Sequence, residues 1–391
     1  MSETRRVALR SLVRRAPSLG AEGAAIIVGV GAFVLVGVVA LFVLRGGHVP
    51  IAGPGSVSQY AAIAAGVVGF LTYIGGRLAR RTGMMPFSVP STAGIARDGE
   101  AGQQRASRID VFDTIVIAFA HGILLLLGWT VVGAILADSF TDATVYWLAA
   151  AVLAAAVAAC SAYYVFLSSW NMDLMRLSTV LAVFAIVGIF TAMLTAPDPH
   201  WWMLHLSALG MTDSISSLAF NLTLIVAGII VTAIARYATD LRSITVPAHR
   251  SAALRVRVGL ILMGVLLACV GIFPLDKAPT LHNVSAVGMV LMFALLVFWV
   301  KAAIPAAPAS FLILGYVFFA TVVLMLIFFI VGYYVLTATE LVAGLLVFSW
   351  LIVYLRVSGA AQEQVVIADA QARQVSPGDA SGDREAGAGV Q

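Results

Sequence analysis

The chain has 391 residues, 61% of them hydrophobic and only 11% charged. A soluble domain is about a quarter charged, so this composition, with its mean hydropathy of +1.01, excludes a water-soluble globular protein and points to lipid as the solvent. The net charge of +4 is spread over short connections, where it suits anionic lipid head groups and excludes an extended nucleic-acid-binding surface.

Apolar windows of about 20 residues, the length that crosses a bilayer as a helix, recur along the chain. They fall at 23–44, 57–77, 112–136, 144–168, 177–195, 216–236, 257–273, 284–302, 309–333 and 338–356. Inside lipid each backbone donor and acceptor needs a partner within its own segment, so these windows predict helices. The alternating ten-residue pattern of a transmembrane barrel is absent from the sequence. The fold class expected is therefore all-α, a polytopic integral membrane protein with about ten transmembrane helices.

Arg5, Arg6, Arg10, Arg14 and Arg15 precede the first window as they would in a signal peptide. The apolar run then continues into LRGGHVPIAGPG without a small-residue cleavage site, so it reads as an uncleaved first span. If the spans alternate, all of the 23 Lys and Arg except Arg45 and Lys277 lie on the side of the N-terminus. Basic residues mark the cytoplasmic side, which predicts cytoplasmic termini in a bacterial cytoplasmic membrane. The Trp- and His-rich loop PDPHWWMLHLSALGMTDS then faces out. Three longer polar stretches are expected inside: the Gly/Ser/Arg-rich loop 78–110, the connection 237–256, and a C-terminal tail from residue 359 without a core-forming pattern. The expected organisation is a four-helix region over 1–170, a six-helix domain over 171–358 and a disordered tail over 359–391. Cys160 and Cys269 lie within spans and predict no disulfide. A five-plus-five inverted repeat, frequent in transporters, finds no support in the loop lengths.

Chemistry-bearing residues gather in two outer loops. Loop 196–215 holds Asp198, His200, His205, Ser207, Asp213 and Ser214, and loop 274–283 holds Asp276, Lys277 and His282. Imidazole and carboxylate are zinc ligands as well as general acids and bases, so His200, His205 and His282 are the metal candidates. The spacing argues against a helical ligand pair, since His200 and His205 are five apart and no HExxH occurs. Gly210 is expected to permit a turn before the sixth span, Asp213 or Ser214 to cap it, and Pro274 to stop the seventh. A separate candidate lies in the third span. Asp113 and His121 share a helical face, and His121 falls about 13 Å in at 1.5 Å per residue, near mid-bilayer. Intramembrane ionisable groups are costly and often mark proton paths. Glu340 and Lys301 stand at span ends, where both can reach water. No Walker loop, dinucleotide fingerprint, CxxCH or GxSxG elbow is present, and the sequence names no cofactor.

Several of these residues also carry a resemblance. Ser207-Ala208-Leu209-Gly210, Phe220-Asn221 opening the sixth span, Gly271-Ile272-Phe273-Pro274-Leu275-Asp276 and then His282 resemble the motifs of the bacterial membrane family called domain of unknown function 998. The resemblance covers roughly residues 177–356 and leaves the first four spans outside. It implies a six-span unit, and a distant similarity to eukaryotic families that include lipid remodellers. It directs attention to Ser207, Gly210, Asn221, Pro274, Asp276 and His282. Three functions follow as expectations. The first is a protein of unknown activity that interacts with a lipid or small hydrophobic ligand at its outer face. The second is a proton-coupled transporter using His121 and Asp113, and the third a lipid hydrolase or transferase using His282, Asp276 and Ser207. The sequence leaves the oligomeric state open.

Overall fold

The computed structural model describes residues 3–82, 108–170, 172–211, 213–237, 239, 247–305 and 307–375. Among these, ten helices are long and apolar enough to cross a membrane. In chain order they are α1 (Glu3–Val43), α2 (Val57–Thr82), α3 (Arg108–Ser139), α4 (Trp147–Trp170), α5 (Leu174–Leu194), α6 (Ile215–Tyr237), α7 (Pro247–Ile272), α8 (Pro279–Ala303), α9 (Ala309–Ile330) and α10 (Leu336–Val375). Each corresponds to one of the ten windows. The middle of the loop expected over 78–110 and most of 238–246 lie outside the described residues. α10 continues to Val375, so the first part of the expected disordered tail is helical.

The first four helices pack α1 on α4, α4 on α2 and α2 on α3. α5 to α8 pack in sequence, and α10 lies between α5 and α9. α3 joins the two groups through α5 and α6. Lipid tails are as apolar as leucine, so helices in a membrane associate by close packing more than by hydrophobic drive. The sequence supplies the small residues this needs. Ala150, Ala151, Ala154, Ala155, Ala158 and Ala162 form a fully buried stripe on α4. α6 and α7 meet through Gly228 and Gly264: a Cβ on Gly264 would stand 2.6 Å from the Gly228 carbonyl oxygen. By contrast α9 is the least buried of the ten spans and presents its side chains to lipid. Phe311, Trp350 and Tyr354 stack, and Phe293 meets Trp350 edge-on, where α8, α9 and α10 meet.

Polar contacts tie the helix ends. At one end a two-stranded antiparallel pair, β1 (His48–Pro50) with β2 (Thr144–Tyr146), joins the α1–α2 and α3–α4 connections. At the opposite end the Arg80 guanidinium donates to the Trp170 carbonyl, Arg257 to Thr239, and Arg356 to the Thr179 hydroxyl.

Candidate functional site: a buried serine–histidine pair

Each member of the pair is set by local chain chemistry. α7 ends at Ile272, and Pro274 cannot continue it. Pro279 opens α8 in the first helical turn, where its missing N–H costs nothing. The connection is therefore shorter than expected, and His282 lies inside the first turn of α8, its N–H donating to the Ala278 carbonyl. The Phe273 carbonyl has just left α7 and has no intrahelical partner. His282 Nδ1 stands 2.9 Å from that oxygen. A carbonyl only accepts, so Nδ1 carries the proton and Nε2 is left as a basic lone pair.

The lone pair meets Ser207, whose Oγ lies 3.0 Å from His282 Nε2 and donates to it. Ser207 sits on a short 3-10 turn, Leu206–Gly210. The turn is stitched to α6 at its far end. The Asn221 side-chain amide donates to the Gly210 carbonyl at 3.0 Å, and the Ser217 hydroxyl donates to the same oxygen at 3.0 Å. Gly210 is required here for close approach, since a Cβ would lie 2.6 Å from Asn221 Oδ1. Its φ is not positive, so the turn expected before the sixth span does not draw on glycine's left-handed backbone freedom. Both members of the pair are buried, Ser207 at 8% and His282 at 4% exposure.

Two further groups border the pair. His205, just before the turn, has a buried Nδ1 without a hydrogen-bond partner among the described residues. Burial, and secondarily the neighbouring His282, hold its pKa below the ordinary imidazole value, so it is neutral at pH 7. The Glu340 carboxylate, from the second turn of α10, accepts the Leu206 N–H at 2.6 Å. The expectation that Glu340 merely reaches for water is corrected: it turns inward onto the serine turn. The only sequence sign was an isolated carboxylate just inside an apolar span.

The remaining candidates fall elsewhere. Asp276 is exposed on the α7–α8 connection; the imidazole nitrogen that a third acidic member would hold is taken by the Phe273 carbonyl. Asp213 pairs with Lys277 at 3.2 Å, both exposed, linking the two connections; such surface pairs contribute less than about 1 kcal/mol. The cap of α6 is Ser214, whose hydroxyl accepts the Ser217 N–H at 3.2 Å. His200 is exposed beside Asp198, 3.7 Å away. The three candidate metal histidines do not form a ligand set, since among the described residues no three His, Cys, Asp or Glu are grouped as a metal requires.

His121 is buried on α3, but both ring nitrogens are engaged, Nδ1 with the Ile117 carbonyl at 2.8 Å and Nε2 with the Ser168 hydroxyl at 2.9 Å. Tyr73 packs on the ring at 4.7 Å between centroids. Ser168 is two residues from the end of α4, while the next residue on α3, Gly122, packs against Gly66 and Phe70 in the middle of α2. Asp113 is buried on the same helix. The arrangement is that of a polar link between α2, α3 and α4 and does not favour a proton relay.

Ten apolar helices with polar chemistry drawn to one end define a multi-pass integral membrane protein. Within it residues 179–357, from α5 into α10, match the family described as Protein of unknown function (DUF998). No curated protein and no solved structure matches the chain.

Proposed function

We propose that the protein is a membrane-embedded lipid hydrolase or acyl transferase whose reacting pair is Ser207 and His282. The observation that carries this reading is the 3.0 Å Ser207–His282 hydrogen bond together with the Phe273 contact that fixes the imidazole tautomer. A hydroxyl becomes a nucleophile when a positioned base takes its proton. In the reaction, Ser207 Oγ attacks an ester carbonyl as its proton passes to His282 Nε2. The same Nε2–H then protonates the departing alkoxide. Water, or an acceptor alcohol, releases the acyl group from Ser207 by the reverse proton path. A backbone carbonyl in the place of a carboxylate holds the tautomer but stabilises the imidazolium less, which suits slow turnover.

The burial of the pair favours a substrate arriving from the bilayer over one arriving from water. Trp202, Met203 and Leu204 lie on the same loop at 48%, 54% and 57% exposure, and their side chains suit the head-group region. The placement of basic residues supports a site at the outer face of a bacterial cytoplasmic membrane, with both termini inside. Trp202→Cys, on a chain in which Cys160 and Cys269 are replaced by alanine, is expected to react with a membrane-impermeant maleimide on intact cells. Reaction only after lysis would reverse the orientation.

The reaction itself is tested with a lipophilic fluorophosphonate on the full chain in nanodiscs. Wild type is expected to form a covalent adduct mapping to Ser207, and Ser207→Ala to form none. Absence of an adduct on wild type, or an undiminished one on Ser207→Ala, rejects the assignment.

A further inference from the structure

We infer that Glu340 is the positioning residue of the Ser207–His282 pair. The inference takes from the proposed reaction only its choice of reacting groups. The two partners are anchored unequally. His282 is held twice without help from Ser207, by its place in the first turn of α8 and by the Phe273 carbonyl. Ser207 lies on a five-residue turn, too short to hold itself in place. The far end of that turn is fastened by Asn221 and Ser217 through Gly210. The near end, which carries Ser207, begins with amides that have no partner inside the turn. Glu340 supplies one, from 134 residues away in sequence, at 2.6 Å on the Leu206 N–H. It does so from α10, which packs along α5 and α9. A carboxylate is suited to this because it has two acceptor oxygens, and charge-assisted bonds are roughly twice as strong as neutral ones. Without it the Ser207 end of the turn is left with the His282 bond and the Ala208 N–H bond to the His205 carbonyl, neither of which ties it to α10. The His282 bond then becomes one of several states instead of the fixed one. A displacement of about 1 Å at a reacting group costs up to ~100-fold in rate.

The positioning role has a readout independent of turnover. The full chain is prepared with ¹⁵N-labelled histidine in nanodiscs, the His282 signals being assigned by their loss in His282→Asn. Ser207→Ala gives the Nε2 resonance in the absence of the serine bond. Glu340→Ala is expected to move Nε2 to that position while the Nδ1–H signal stays, and to slow fluorophosphonate labelling by roughly tenfold or more. Glu340→Gln keeps the side-chain volume and one acceptor oxygen, so it is expected to lie between wild type and Glu340→Ala in both measurements. It also decides the matter should the alanine variant not fold. A wild-type Nε2 resonance in the variants, or an unchanged labelling rate on a wild type that is labelled, overturns the positioning role and leaves the Ser207 nucleophile standing. Movement of Nε2 as expected on a wild type that forms no adduct does the reverse: Glu340 positions Ser207, and the ester-cleaving reading falls.

Discussion

Gly228→Val is expected to prevent the protein from accumulating as a monodisperse species in mild detergent, and Gly264→Val to do the same. At Gly228 a Cβ would lie 2.6 Å from the Ala268 backbone nitrogen and 2.9 Å from the Ala268 methyl. At Gly264 it would meet the Gly228 carbonyl at 2.6 Å and the Thr232 nitrogen at 2.9 Å. Each position meets backbone atoms of a packed helix, so turning the Thr232 hydroxyl aside at Gly264 would not relieve the contact. The only relief is separation of α6 from α7. Overpacking costs about 1–3 kcal/mol where side chains yield, and here the cost is at or above the top of that range. The effect spreads to the site, because α6 carries Asn221 and Ser217 while α7 ends at the Phe273 carbonyl. Gly23, where a Cβ would meet nothing within 4 Å, is the control. Gly23→Val is expected to elute as wild type. Equal elution of all three variants would mean that α6 and α7 are not in contact at this depth.

The helices were legible because the signal is local: an apolar run of about 20 residues has one structural outcome in lipid. α4 could even be read as a packing face from its alanines alone. The site was legible only in part, for a physical reason. Ser207 and His282 are side chains with recognisable chemistry in polar loops, so they stood out. Phe273 and Leu206 act through backbone groups, which every residue has, so nothing in the sequence marks them. Asp276 illustrates the error this invites. An acid six residues before a histidine suggests a carboxylate partner, but the chain turn that ends α7 brings a carbonyl to Nδ1 first and leaves Asp276 in solvent. Glu340 shows the opposite failure. Its partners lie on a different helix hairpin, and only the fold brings α10 against the serine turn. His121 drew attention for the right reason, the cost of an imidazole in an apolar span. The sequence could not show that Ser168 satisfies it.

Replacing His282 by asparagine is expected to leave the fold nearly intact and to lower fluorophosphonate labelling of Ser207 by about 10³-fold, within the range of a lost general base. The two effects separate because the imidazole has two jobs on two nitrogens. Nδ1–H satisfies the Phe273 carbonyl, and an asparagine side-chain N–H reaches a similar position, so the link between α8 and the end of α7 is retained. Nε2 accepts the Ser207 proton, and asparagine offers no base there. His282→Ala removes both. It leaves a part-buried carbonyl and a buried hydroxyl without these partners, the hydroxyl at a cost of about 1–3 kcal/mol, and is expected to lower the unfolding midpoint as well as the labelling. A purely structural histidine predicts a different pattern, with labelling tracking stability across the two variants. Asparagine would then keep both stability and labelling, and alanine would lose both together. Loss of labelling in a stable His282→Asn protein is the outcome that only a base at Nε2 produces. Retention of labelling there would reduce the Ser207–His282 bond to a clasp between two connections of the bundle.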